Sequence, residues 1–325
     1  MTLATLSRRG LFGSLAGATA LAAIGAPRIT LAQTAATPTA PRPIIYDRRV
    51  GDMTLTTLLD GYLGLGQELL TNADPALVTA ALTAAYLDPA AAIPVPVSTH
   101  LVRSGTDITL IDAGAGAAFG PTAGRHLAAL EAAGVAPDAV TRIVLTHMHP
   151  DHIGGLVTDA GAVFPNATLH VSATDLAFWT DAAIAASVPD SAKPFFALAT
   201  SVAAAYGARV MPFEGDADLG GGLTAIAMPG HTPGHTGYRL SSGNNQLIIF
   251  GDTAAFASLQ FSNPNIGISF DADGAVAAET RKKVLAMLAT DKIAVAGSHL
   301  PFPGVGHVEA KGDAFAWVPE EYKYL

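Results

Sequence analysis

The chain is 325 residues long, with 14% charged and 50% hydrophobic residues, enough for one large domain or two modest ones with a buried core. A formal charge of -9 makes nucleic acid and anionic lipid surfaces poor partners. The absence of cysteine excludes disulfides, thiolate metal ligands and a cysteine nucleophile, so any transition metal must be held by imidazole and carboxylate.

The chain opens with Ser7-Arg8-Arg9-Gly10-Leu11-Phe12, and an apolar, Ala/Gly-rich run extends to about Ala26. A twin arginine ahead of a mildly hydrophobic stretch predicts a twin-arginine export signal over residues 1–32 and a periplasmic destination. The run is shorter than the ~20 residues a spanning helix needs, so no stable membrane anchor is expected. Small residues at Thr30-Leu31-Ala32 suit cleavage there. That route carries folded proteins, which fits a protein that loads metal before export. Residues 33–43, rich in Thr, Ala and Pro, predict a disordered lead-in. From residue 44 to 325 no linker or repeat divides the chain.

Residues 97–102 and 108–111 are β-like runs joined by the turn Ser104-Gly105-Thr106-Asp107. Residues 124–133 have helical spacing and stop at Gly134. The continuous apolar run 143–145 predicts a buried strand, and 168–171 repeats the pattern. Ser172 is placed to cap a helix reaching about Thr180, and a further helix is expected over 192–206 up to Gly207. Strands follow at 209–213, 223–228, 237–240 and 246–250, then a helix at 275–288 and a last buried strand at 293–296. Interleaved strands and helices, with several strands in succession in each half, predict α/β layers with sheet packed on sheet and helices outside.

Directly after the 143–145 run stands Thr146-His147-Met148-His149-Pro150-Asp151-His152-Ile153-Gly154-Gly155. In extended backbone, residues two apart point the same way, so His147 and His149 face one metal together. Pro150 turns the chain, which lets Asp151 and His152 face a second point, and the glycines let the backbone bend closely around it. A lone histidine is usually a satisfied core or surface residue. Three histidines and an aspartate in six residues are costly to bury unless they coordinate.

Three more donors each follow an apolar strand-like run: His231 in Pro229-Gly230-His231-Thr232-Pro233-Gly234-His235, Asp252 in Gly251-Asp252-Thr253, and His299 in Ser298-His299-Leu300. Four strand ends offering His or Asp to one edge would build a single site. Asp252 is the natural bridge, because one carboxylate can give an oxygen to each of two ions.

His-x-His-x-Asp-His, then a Gly-His strand end, a Gly-Asp and a late His, resembles the metallo-β-lactamase superfamily. The resemblance implies a four-layer αβ/βα sandwich, with residues 44–325 as one hydrolase domain holding two divalent metal ions, zinc foremost. It implies His147, His149 and His231 on one metal, Asp151, His152 and His299 on the other, and Asp252 shared. It selects His231 over His235 as ligand and places Asp112 behind the ligand loop. The stretches 261–264, 279–283 and 298–307 resemble methyl parathion hydrolase and its lactonase relatives, and Phe119, Trp179 and Phe196 match the aromatic trio of that group's substrate pocket. Asn72, Ala255 and Phe270 depart from a specialised organophosphate degrader.

The expected activity is therefore hydrolysis of small neutral esters, lactones or aryl esters, with phosphotriesterase activity beside it. Two metals ~3.5–4 Å apart would hold a bridging water, lower its pKa towards ~7 and make a side-chain nucleophile unnecessary. Asp151 and Asp252 are the expected catalytic carboxylates, Asp151 orienting the hydroxide or passing its proton to the leaving group. His235 and His307 are candidate partners behind the ligands or for the leaving group. The alternatives are a mononuclear iron sulfur dioxygenase of the same superfamily, organophosphate hydrolysis as the main activity, and a non-catalytic metal-binding protein; a homodimer stays open.

Overall fold

The computed structural model describes residues 42–322. The expected export signal, and all but the last two residues of the expected lead-in, lie outside the described residues. Among those described, no helix is long and apolar enough to cross a membrane.

Two seven-stranded sheets carry the architecture, and in each the strands lie side by side in chain order. The first contains β1 (Ile45–Val50), β2 (Met53–Leu65), β3 (Ile93–Ser104), β4 (Asp107–Ile111), β5 (Arg142–Val144), β6 (Thr168–Ser172) and β7 (Val210–Phe213). Its first four strands run antiparallel, while β4 to β7 are parallel and need crossover connections. The second contains β8 (Ala217–Asp218), β9 (Leu223–Ala227), β10 (Thr236–Ser242), β11 (Asn245–Ile249), β12 (Ala294–Ala296), β13 (Val305–Lys311) and β14 (Ala314–Pro319). Only β11 and β12 pair in parallel there, joined through the long helix α7 (Gly274–Asp291). The remaining helices are α1 (Pro75–Ala84), α2 (His126–Ala132), α3 (Pro150–Ile153), α4 (Ala173–Thr180), α5 (Ala182–Ser187) and α6 (Lys193–Tyr206).

The apolar runs sort into layers because successive strand residues face opposite sides. Ile111 and Val144 point between the sheets, where they meet Tyr238, Leu247, Ile249 and Ala296 of the second sheet. Their neighbours Leu110 and Ile143 point outward and pack with Leu130, Phe196, Ala199 and Val202 from α2 and α6. On the other side Ile248 and Val295 point outward against Val284, Leu285 and Leu288 of α7. Three apolar layers therefore separate helix, sheet, sheet and helix, the expected αβ/βα sandwich.

This layering puts one edge of the molecule in the right place. β5, β9, β11 and β12 all end at that edge, and their following loops carry residues 146–152, 231, 252 and 299. The two sheets are pinned there by main-chain and side-chain bonds: Thr236 N–H donates to the Thr146 carbonyl at 2.8 Å, and the Tyr238 hydroxyl donates to the Leu145 carbonyl.

Candidate metal centre

All seven expected donors converge at the shared edge, and all seven are buried. The nitrogens His147 Nε2, His149 Nδ1 and His231 Nε2 form one group, with His149 Nδ1 lying 2.9 Å from the first and 3.0 Å from the second. Asp151, His152 and His299 form another, with His299 Nε2 and His152 Nε2 at 3.4 and 3.7 Å from Asp151 Oδ2. The Asp252 carboxylate lies between them. Its Oδ2 is 3.4 Å from His231 Nε2 and 2.9 Å from His299 Nε2, and its Oδ1 is 3.3 Å from His152 Nε2.

The donor set fits divalent ions. Ligand nitrogens around a tetrahedral ion at ~2.0–2.1 Å stand roughly 3.3 Å apart, close to the spacing of the three-histidine group. His152 Nε2 and Asp252 Oδ1 are buried with no hydrogen-bond partner, a state that costs free energy unless something else fills it.

The far side of most rings is already committed. His152 Nδ1 bonds Asp112 at 2.8 Å, His231 Nδ1 bonds Asp271 at 2.8 Å, His299 Nδ1 bonds the Pro96 carbonyl at 2.7 Å, and His147 Nδ1 lies 3.1 Å from Thr146 Oγ1. Each bond fixes the ring's orientation and turns Nε2 toward the centre. Asp112 also accepts the Thr146 N–H at 2.8 Å and sits at φ 62, an uncommon backbone for aspartate that aims its carboxylate under the ligand loop.

Burial pushes the His147 and His149 pKa values well below the usual imidazole range, so both are neutral donors at pH 7. Burial would also raise the Asp252 carboxyl, but the facing His299, His152 and His147 outweigh it and hold the group well below the usual carboxylate range. For His152, burial is overcome in the opposite sense by Asp252, Asp151 and Asp112, which raise it well above the usual value. Ionised Asp252 and neutral His147 and His149 are the forms a metal needs, whereas His152 would give up its Nε2 proton to an incoming ion.

His235 stands beside the cluster but both its nitrogens are spent on main chain. Nδ1 bonds the Met228 carbonyl at 2.9 Å, and Nε2 accepts the Asp252 N–H at 3.0 Å. Burial lowers its pKa to about 4, so it stays neutral and holds Asp252 in place. His307 requires a correction. It lies in β13, and the groove it lines contains Arg48, Asn244, Lys292 and Ala294, the start of β12, whereas the donors follow that strand's end.

The aromatic trio also divides. A cavity of about 240 Å³ opens onto His149, Asp151, His231, Asp252 and His299, and Phe119 lines it with Leu63, Leu65, Phe195, Ile268 and Phe270. Trp179 and Phe196 are not among its walls; they are core residues, with ring centroids 4.7 Å apart. Trp179 supports the site from behind, its ring 5.1 Å from His149. Phe195, the neighbour of Phe196 on α6, takes the cavity position instead.

Two carboxylates escaped the sequence reading. Asp271 orients His231, and Asp175, fully buried, accepts the Met148 N–H and the Gly234 N–H at 3.0 Å each, tying two ligand loops together. Neither lies in one of the His-rich runs that announce the donors.

Known structures place this geometry in context. The chain is similar to hydrolase AbOPH of the beta lactamase superfamily, with 33% identity, a TM-score of 0.83, and coverage of 88% of this chain and 100% of that one. It is also similar to AidC, a dizinc quorum-quenching lactonase in complex with a product, N-hexanoyl-L-homoserine, with 29% identity, a TM-score of 0.82, and coverage of 87% and 99%. A probable metal-dependent hydrolase from Staphylococcus aureus shares the fold at 18% identity and a TM-score of 0.71, over 85% of this chain and 100% of that one. No curated protein sequence matches the chain. The family model of the metallo-beta-lactamase superfamily matches residues 92–312, more than half of the sequence and every expected donor, and the chain belongs to that superfamily.

Proposed function

We propose that the protein is a dinuclear metallo-hydrolase of small neutral esters, lactones or aryl esters, with a side activity on phosphotriesters. The observation that carries this reading is the Asp252 carboxylate, set between two histidine groups at the floor of an apolar cavity. The likeness to a dizinc lactonase supports the lactone end of the range.

His147, His149 and His231 would hold one ion, Asp151, His152 and His299 the other, and Asp252 both. When bound, two such ions, zinc foremost, supply Lewis acidity and bring the pKa of a water towards ~7. The chain's own residues do the rest. Phe119, Phe195, Phe270, Leu63 and Leu65 shed water from the apolar part of an ester and leave its polar group toward the histidines. Asp151, whose carboxylate faces the cavity, accepts the proton of the attacking water and returns it to the leaving oxygen. Asp271, Asp112 and the Pro96 carbonyl keep the rings from turning as charge develops. A planar ester and a tetrahedral phosphotriester both require attack on a polarised centre, so the same groups serve both.

Parallel assays of a γ-lactone, an aryl acetate and a methyl phosphotriester on purified, metal-analysed protein test the reading. Turnover of the lactone or the acetate is expected to exceed that of the phosphotriester. Turnover of none of the three contradicts the proposal, and one iron per chain would favour oxidative sulfur chemistry instead. Export by the twin-arginine route rests on Arg8 and Arg9. Replacing both by lysine should hold the protein in the cytoplasm, and normal periplasmic delivery of that variant would speak against it.

A further inference from the structure

Asp60 is a fully buried carboxylate with no ion-pair partner among the described residues, and it lies outside the donor cluster. Its Oδ2 accepts the Ala115 N–H at 3.1 Å and the Gly124 N–H at 2.9 Å, and its Oδ1 accepts the His126 N–H at 2.7 Å. Its main-chain oxygen takes the Arg125 N–H at 3.0 Å. One residue therefore grips both ends of a loop. Between Ala115 and Gly124 that loop swings out and carries Phe119 and Thr122 to the wall of the catalytic cavity.

The strand is built for this grip. β2 loses register with β3 between Leu59 and Gly61, and such a bulge re-aims a side chain that regular pleating would send elsewhere. Gly61 sits at φ +153, and a Cβ there would lie 2.1 Å from the Thr122 carbonyl oxygen, so the loop rests directly on the strand's backbone. A Cβ on Gly114 would come within 2.7 Å of the Asp60 carboxyl. The close fit extends to the donors, since Gly155 N–H donates to the Gly114 carbonyl at 3.1 Å and Ala113 N–H to the His152 carbonyl at 2.8 Å.

We infer that Asp60 is a positioning residue for substrate: by clamping both ends of residues 115–126 it holds Phe119 against the cavity and sets affinity for the apolar part of the ester. The inference rests on the reading of that cavity as an ester site. It differs from a purely structural role, which would lower stability and metal content without touching KM selectively.

Asp60→Asn keeps the shape but offers one acceptor oxygen and turns an NH2 toward a main-chain N–H, so the clamp loses either the His126 bond or both the Ala115 and Gly124 bonds. For an ester with a bulky apolar group, KM is expected to rise about tenfold while kcat changes by less than about threefold and both metals stay bound. In a Phe119→Ala background the same change should add less than about twofold, because the group being positioned is gone. A fall in kcat with KM unchanged, loss of metal, or fully multiplicative effects would overturn the inference. Amide exchange in the wild-type holoprotein provides a readout that needs no variant to fold. The N–H groups of Ala115, Gly124 and His126 should be protected while those of residues 117–120 exchange faster, and rapid exchange at the three anchors contradicts the clamp. If the wild-type protein turns over no ester, the function fails, and the exchange pattern still decides whether the clamp exists.

Discussion

Asp252 is the residue on which the two histidine groups depend, since its two oxygens reach His231, His299 and His152 while its own N–H is fixed by His235. Asp252→Ala removes the shared oxygen pair, and we expect the purified variant to retain no more than one ion and to lose at least about a thousandfold in kcat/KM, read by elemental analysis beside kinetics. Asp271 acts one step back, so Asp271→Asn should weaken metal affinity by about 10–100-fold in a chelator competition and leave the fold intact. A wild-type affinity in that variant would remove Asp271 from the account. The donors themselves were legible as residues because His147, His149, Asp151 and His152 are too dense to be buried for packing, and the other three sit after apolar runs. Asp271 and Asp175 were not legible. Their role is set by where the chain folds back upon it, 40 residues from His231 in one case and 59 from Gly234 in the other.

At the scale of elements, α6 shows where pattern reading stops. Phe195 and Phe196 are adjacent, and helical spacing puts neighbours about 100° apart, so Phe196 is enclosed by the core while Phe195 sits at its margin. Phe196 shares its face with Ala199, Val202 and Tyr206 and is buried, whereas Phe195 turns to the cavity. Phe195→Ala should therefore raise KM several-fold with little change in the unfolding midpoint. Trp179→Ala should cost about 3–5 kcal/mol, read by chemical denaturation. The reverse pattern would return Trp179 to the substrate pocket. Buried parallel strands such as β5 and β12 were legible as continuous apolar runs. The hairpins β1–β2 and β13–β14 were not, because charged residues such as Arg48, Arg49 and Glu309 break their alternation. The helix α1 did carry a start signal, Asp74 accepting the Ala76 N–H ahead of Pro75. Ser172 precedes α4 as expected but makes no capping bond with its side chain.

For the whole molecule, three apolar layers bury titratable groups that the centre does not use. Burial lowers the His100 and His126 pKa values to about 4 from an unfolded value near 6.5. Below pH 6.5 the unfolded chain binds protons that the folded one refuses, so stability falls as pH drops from 6.5 toward 4, by up to roughly 3 kcal/mol per histidine. His100→Gln should reduce the slope of unfolding free energy against pH in that window by about one proton, and an unchanged slope would show that His100 titrates normally. The fold class was legible because alternating element types and donor-bearing strand ends leave few ways to bury the runs, while the cavity wall depends on loops whose courses no local pattern dictates. The central claim is that one chain holds two ions through seven donors and hydrolyses esters with them. Its most direct test is a metal-reconstitution titration of chelated protein, following γ-lactone hydrolysis against ions bound per chain. Activity should be absent in the stripped protein and reach its plateau at two ions. A plateau at one ion, or full activity in the stripped protein, would contradict it.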